Sequence, residues 1–298
     1  MKLTILGTAS AFPTKERAHS AMLLDIGPES ILFDAGESVQ RQIQIVGAKP
    51  FKIGKILISH WHGDHVLGLG GLLQSFGMMK RKIPIEIYGP KGTFERFQYL
   101  RKALELRIGF PIKIIEVPLK TVKVISTEKY EIWAAKAKHD IDCLAFSYIE
   151  KPKRRVDIKY LKKFGLANNP IIGKLAEGKD ITWKGKKITA SKATYLQTGK
   201  KLVYIIDSAY TEDLVKFSKD ADLLVCESTF TSELKDEAKE YGHMTSADAA
   251  LLAKKAKVRQ LVITHFSQRY KHADELLKEA RKIFSNTIAA RDFMQFDI

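Results

Sequence analysis

Cysteine is nearly absent: 298 residues hold two, Cys143 and Cys226. The pair forms no CxxC motif, which excludes a disulfide framework and argues against a thiolate metal site. Both read as buried, reduced side chains. No apolar run reaches the roughly eighteen residues of a membrane span, so no membrane partner is expected. The start, Met1-Lys2-Leu3-Thr4-Ile5-Leu6-Gly7, reads as a strand. It lacks the basic, apolar and small-residue succession of a secretory signal, and the expected location is the cytoplasm. Repeats and low-complexity tracts are also missing. Acidic residues are scarce: 34 Asp and Glu face 50 Lys and Arg, a formal charge of +16. Such an excess points to a polyanionic partner, most commonly nucleic acid. A lysine-rich surface serving only solubility is the plain alternative.

What is present is ample apolar material, 45% of the chain, enough for a large core. Short β-rich runs alternate with amphipathic stretches. Strands are expected at 2–7, 20–25, 30–34, 55–59 and 84–88, then at 112–117, 121–126, 130–137 and 143–149. The apolar runs 202–206, 222–226 and 260–264 fit buried strands. Helices are expected at 66–79, 91–104, 211–218, 245–257 and 271–284, with Thr245 as the N-cap of the fourth. Two β-rich halves, each covered by helices, predict an α/β fold of four layers with the two sheets face to face.

Residues 151–187 stand apart, with twelve Lys and Arg against Asp157, Glu177 and Asp180. Gly165, Asn168-Asn169-Pro170 and Gly173 interrupt any long element there. The segment reads as a protruding basic arm inserted into a single domain spanning 1–298.

The chemistry concentrates in His60-Trp61-His62-Gly63-Asp64-His65, directly after the buried-strand pattern Lys55-Ile56-Leu57-Ile58-Ser59. Residues two apart on an extended segment face the same way, so His60 and His62 can share a metal. Gly63 permits a turn that offsets Asp64 and His65 toward a second ion. Three histidines and a carboxylate in six residues are hard to bury without a metal, because each needs its own partner. Imidazole and carboxylate at this spacing suit zinc, with manganese or iron as alternatives. His139, Asp207 and His265 each end a strand and can complete the ligand set. His243 makes a further site residue, whereas His19 and His272 read as surface or supporting residues.

These motifs resemble the metallo-β-lactamase superfamily, whose hallmark is HxHxDH followed by a distant His, Asp and His. Within it the chain is similar to the ribonuclease Z family, the tRNA 3′-processing endonucleases. The likeness covers nearly the whole length. It is carried by Leu6-Gly7-Thr8-Ala9-Ser10 with Pro13-Thr14 and Arg17, and by Phe33-Asp34-Ala35-Gly36-Glu37. Cys226-Glu227-Ser228-Thr229-Phe230, Gly242-His243-Met244-Thr245 and Thr264-His265-Phe266-Ser267-Gln268-Arg269-Tyr270 complete it. The resemblance implies a four-layer αββα sandwich and two zinc ions per subunit. His60, His62, His139 and Asp207 would hold one ion, and Asp64, His65, His265 and the shared Asp207 the other. Asp34 would orient the ligand loop.

The same resemblance implies a hydrolase acting on precursor tRNA at its 3′ trailer. Asp64 would help orient the attacking water, and His243, held by Glu227, would protonate the leaving oxygen. Arg269 and Tyr270 would grip phosphate or stack on a base. Lys153, Arg154, Arg155, Lys162 and Lys163 of the arm would hold RNA backbone. An arm serving the neighbouring subunit's site implies a homodimer. Two family patterns are altered. The loop that often reads PxKxG is best placed at Tyr195–Gly199 and keeps only the glycine, and HEAT reads Cys226-Glu227-Ser228-Thr229. The nearest rival is a general phosphodiesterase acting on small or cyclic nucleotides; a non-catalytic RNA-binding protein is a more distant one.

Overall fold

A computed structural model describes residues 1–298. In the first half, β1 (Lys2–Gly7), β2 (Ala21–Asp25) and β3 (Ser30–Phe33) run antiparallel. Helix α1 (Val39–Ile45) then leads to β4 (Ile53–Leu57), α2 (Gly63–Met78), β5 (Ile85–Gly89), α3 (Thr93–Ala103) and β6 (Ile112–Glu116). Strands β3 to β6 are mutually parallel.

The second half opens with the antiparallel strands β7 (Val122–Ser126), β8 (Tyr130–Ala137) and β9 (Cys143–Glu150). An inserted segment follows: β10 (Lys153–Val156), α4 (Ile158–Lys162), α5 (Ile172–Ala176), β11 (Ile181–Trp183), β12 (Lys186–Ile188), α6 (Ala190–Ala193) and β13 (Thr194–Gln197). Then come β14 (Lys201–Ile205), α7 (Glu212–Ser218), β15 (Leu223–Glu227), α8 (Lys235–Glu240), α9 (Ser246–Lys255), β16 (Leu261–Thr264), α10 (Asp274–Ile283), β17 (Thr287–Ala289) and β18 (Gln295–Asp297). One seven-stranded sheet has the order β18-β1-β2-β3-β4-β5-β6, and the other β17-β16-β15-β14-β9-β8-β7.

The two-residue period of a strand explains the layering. Leu3, Ile5, Met22, Leu24, Ile31 and Phe33 meet Leu202, Tyr204, Leu223 and Val225 in one core between the sheets. Their neighbours Leu6, Ala21, Leu23 and Leu32 point the other way, under α1, α2 and α3. Val203, Ile205, Leu224 and Cys226 likewise pack under α7, α9 and α10. The result is helix, sheet, sheet, helix, as the binary pattern requires. Thr245 caps α9 in a capping box with Asp248. Both cysteines are buried thiols.

The arm grows out of the β9–β14 pair. Lys201 faces Ile149, Glu150 N–H donates to the Lys200 carbonyl at 2.8 Å, and Gln197 faces Lys153. The register is therefore unbroken from sheet to arm. At the junction Gly199 is obligatory, because a Cβ there would lie 1.8 Å from the Glu150 carbonyl oxygen. The arm has a small core of its own: Leu161, Leu166, Leu175, Ile181, Ile188, Ala190 and Ala193. It returns through β13, past residue 187, so Tyr195–Gln197 is a ribbon strand and not the loop that motif matching suggests.

Candidate metal centre and cleft

The parallel strands deliver the site. Asp34 follows β3, His60 follows β4, His139 follows β8, Asp207 follows β14 and His265 follows β16, so their side chains meet at one edge of the sandwich. Asp34 (φ 55°), Asp207 (φ 45°) and His265 (φ 61°) adopt left-handed backbone. Such strain concentrates at functional sites and is held by the surrounding structure. The six-residue run differs locally from the turn expected at Gly63. Helix α2 begins at Gly63, with His62 at its N-cap position, so Asp64 and His65 project from the first helical turn. The helix sits close to the Asp34 loop: a Cβ on Gly68 would lie 2.1 Å from the Gly36 carbonyl oxygen.

Two groups of four donors result, sharing Asp207. In the first, His62 Nδ1 lies 3.1 Å from His60 Nε2 and 3.2 Å from His139 Nε2, and Asp207 Oδ2 lies 3.3 Å from His60 Nε2. In the second, His65 Nε2 lies 3.2 Å from Asp64 Oδ2 and 3.4 Å from Asp207 Oδ2. His265 Nε2 is 2.8 Å from Asp207 Oδ1. Donors bonded at about 2.0–2.1 Å around a tetrahedral ion stand about 3.3–3.4 Å apart, so these spacings fit ligands facing a common centre. His65 Nε2, His265 Nε2 and Asp207 Oδ1 are buried without a hydrogen-bond partner. Orphaned buried atoms of this kind are costly unless an ion satisfies them. The donor set therefore suits divalent metal.

The other ring nitrogens are fixed from behind. His65 Nδ1 meets Asp34 Oδ2 at 2.8 Å, and His60 Nδ1 meets Ser59 Oγ at 2.9 Å, itself bonded to Asp34 at 2.9 Å. His265 Nδ1 meets Thr229 Oγ1 at 2.9 Å, and Thr229 donates to Glu227 at 2.7 Å. These partners set ring orientation and tautomer. Charge follows the same arrangement. Burial, then repulsion by His65, lowers His60 to about 4, leaving a neutral imidazole. Burial opposes protonation of His265, but the Asp207 carboxylate raises it to about 9.

Above the donors lies an open cleft of about 500 Å³ whose walls include Phe12, Asp140, Phe230, Tyr241 and His243. His243 Nδ1 is 3.1 Å from Glu227 Oε1, and Glu227 is fully buried. Burial would lower the His243 pKa, yet the charge of Glu227 raises it. This ring can carry a proton at the edge of the cleft.

Comparison with known proteins fits this geometry. A family model described as anti-Pycsar protein Apyc1 matches residues 1–139, and a beta-lactamase superfamily domain model matches residues 179–266. Human tRNase Z, short form, superposes with a TM-score of 0.75 at 28% identity, covering 100% of this chain and 99% of that one. Ribonuclease Z of Methanothermobacter thermautotrophicus is 36% identical over 100% of this chain and 97% of its own length. Ribonuclease Z of Nitrosopumilus maritimus is 38% identical over 100% of both. The chain belongs to the ribonuclease Z family. Its fold is the metallo-β-lactamase fold of that family, and its seven candidate donors lie at strand ends and at the start of α2.

Other residues fall differently within this ribonuclease Z fold. Lys153, Arg154, Arg155, Lys162 and Lys163 are exposed on the arm. Arg269 is committed elsewhere: its guanidinium is 2.9 Å from Glu237 and lies over the Phe230 ring at 5.0 Å. Tyr270 accepts from Thr231 N–H at 2.9 Å and packs on the core under α9 and α10. Neither residue lines the cleft. His19 is buried, not on the surface; its Nε2 lies 3.3 Å from the Ala11 carbonyl. Asp140 escaped the sequence reading. Its Oδ1 is 2.9 Å from His139 Nε2, and an acid directly after a ligand histidine is the signal that marks it.

Proposed function

We propose that the chain is a zinc-dependent endoribonuclease that removes the 3′ trailer from precursor tRNA, working in the cytoplasm as a homodimer with two zinc ions per subunit. One observation carries this reading: seven donors converge in two groups on Asp207, beside the His243–Glu227 pair, at the floor of one open cleft in a ribonuclease Z family member. The whole chain, 1–298, acts as one domain from which the basic arm projects.

His60, His62, His139 and Asp207 would hold one ion, and Asp64, His65, His265 and Asp207 the other. Bound there, such a pair supplies Lewis acidity that acidifies water near neutral pH and draws charge from phosphoryl oxygens. The chain's own groups do the rest. Asp64 accepts a hydrogen bond from the attacking water and fixes its approach to phosphorus. Glu227 accepts from His243 Nδ1–H, which leaves Nε2 to carry the proton delivered to the departing 3′-oxygen. Lys153, Arg154, Arg155, Lys162 and Lys163 hold tRNA backbone away from the cut.

The test is cleavage of a precursor tRNA bearing a 3′ trailer, with and without chelator, with the cut mapped. A single chelator-sensitive cut at the tRNA–trailer junction is expected. Intact precursor alongside rapid hydrolysis of small cyclic nucleotides would replace this reading with the rival phosphodiesterase.

A further inference from the structure

Two large aromatic rings at the cleft have no partner in the fold. Phe12 is 61% exposed and Tyr241 is 55% exposed, although both border the cavity above the metal donors. The third aromatic of that cavity behaves differently: Phe230 is buried, covered by the Arg269 guanidinium at 5.0 Å and set edge-on to His243 at 6.1 Å. Rings left uncovered in a polar cleft are suited to a flat partner brought by the substrate.

Both rings are carried on fixed backbone. The Phe12 segment is tied by Ser10 N–H, which donates to the Phe266 carbonyl at 3.2 Å, and by His19 at the Ala11 carbonyl. Phe12 therefore stands beside the strand end that bears His265. Tyr241 ends α8, with its N–H donating to the Glu237 carbonyl at 3.0 Å. Gly242 follows in left-handed backbone (φ 72°), and its carbonyl lies 3.4 Å from His139 Nδ1. Tyr241 therefore stands beside His139. Phe12 is thus linked to the donor group that holds His265 and Tyr241 to the group that holds His139, the two groups sharing Asp207.

We infer that Phe12 and Tyr241 are stacking platforms for the two nucleobases that flank the scissile phosphate. The inference rests on the precursor-tRNA reading of the cleft. His243, two residues from Tyr241, fixes the direction: its proton goes to the departing 3′-oxygen, so Tyr241 takes the nucleobase on the 5′ side of the cut. Phe12 takes the first base of the trailer. Stacking is tolerant of sequence because every base has a π face, and this suits a cut between a common tRNA body and variable trailers.

The test is a double-mutant cycle between protein and RNA. A trailer-bearing acceptor-stem substrate is made intact, with an abasic residue just before the cut, or with one just after it. Each is cleaved by wild type, Phe12→Ala, Tyr241→Ala, and the conservative Phe12→Trp and Tyr241→Phe. Each alanine variant lowers kcat/KM on intact substrate by about 10- to 100-fold, as the loss of one base stack implies. The conservative variants restore the rate. Phe12→Ala adds nothing on the substrate abasic after the cut, and Tyr241→Ala adds nothing on the one abasic before it. Full additivity, an unchanged rate, or coupling to the opposite nucleotide would overturn the assignment. Metal content and thermal midpoint, read on every variant, separate stacking from misfolding. A wild type that left the intact substrate uncut would remove the precursor-tRNA reading, and the inference with it.

Discussion

Asp34 Oδ2 and His65 Nδ1 lie 2.8 Å apart, with neither side chain reached by solvent. The same carboxylate accepts from Ser59 N–H at 2.7 Å and from Tyr204 OH at 2.9 Å. One buried acid thus joins both sheets to a metal donor. Asp34→Ala is expected to weaken metal binding about 10- to 100-fold, read by chelator competition. It also leaves buried donors without an acceptor and costs about 1–3 kcal/mol in denaturant unfolding. Unchanged metal affinity would remove Asp34 from the support of the site.

His243 and Glu227 give a prediction in pH. The Glu227 carboxylate outweighs burial and raises the His243 pKa, so the ring keeps its proton further into the neutral range. A proton donor works below its pKa and fails as pH rises through it. Glu227→Gln removes the negative charge, lowers that pKa and moves the alkaline fall of kcat to lower pH. His243→Ala retains the metals and slows the reaction by about 10²- to 10⁴-fold, most of all with poor leaving groups. An alkaline limb that stays in place in Glu227→Gln would contradict the pairing.

Metal uptake is expected to release protons. Without metal, Asp207 raises His265 to about 9, so at neutral pH a proton occupies a metal-binding nitrogen. His60, lowered to about 4, is already neutral and contributes none. Burial disfavours a proton on His65 as well, but the Asp207, Asp34 and Asp64 carboxylates hold its pKa well above the ordinary value, so affinity rises with pH across the neutral range. Calorimetry in two buffers of different ionisation enthalpy measures the proton count directly. Affinity that is flat across neutral pH would contradict this account.

The arm can be removed cleanly, because its register continues β9 and β14 and its core is its own. Replacing residues 152–198 by a two-residue turn is expected to cut precursor tRNA processing by about 10²-fold or more and to flatten its salt dependence, since each lost phosphate contact removes about one unit of slope. Hydrolysis of a small diester is unchanged. Equal loss on both substrates would mean that the arm supports the fold and not the RNA.

Much of this was legible in the sequence because the layers obey a two-residue period. Leu202-Val203-Tyr204-Ile205 shows a buried strand directly, and a polar residue after such a run, as at Asp207 or His265, lies at a strand end where sites form. Other features left no such mark. Helix α1 buries only Val39, Gln42 and Ile43, too few for a periodic signal. Strands β17 and β18 have three residues each. In the arm, lysines outnumber the few apolar residues that make its core, so charge hid a folded element. Gly63 suggests a turn in isolation, yet α2 starts there, with Asp64 and Gly68 packed closely on the Gly36 loop. The positions of Arg269 and Tyr270 were fixed by Glu237 and Thr231, partners distant in sequence.

The central claim is that two ions sharing Asp207 drive cleavage. The direct measurement is the rate of trailer removal by metal-stripped protein as zinc is added back. The account predicts no cleavage without metal and saturation at two equivalents per chain. Full activity at one equivalent, or cleavage by the stripped protein, would contradict it.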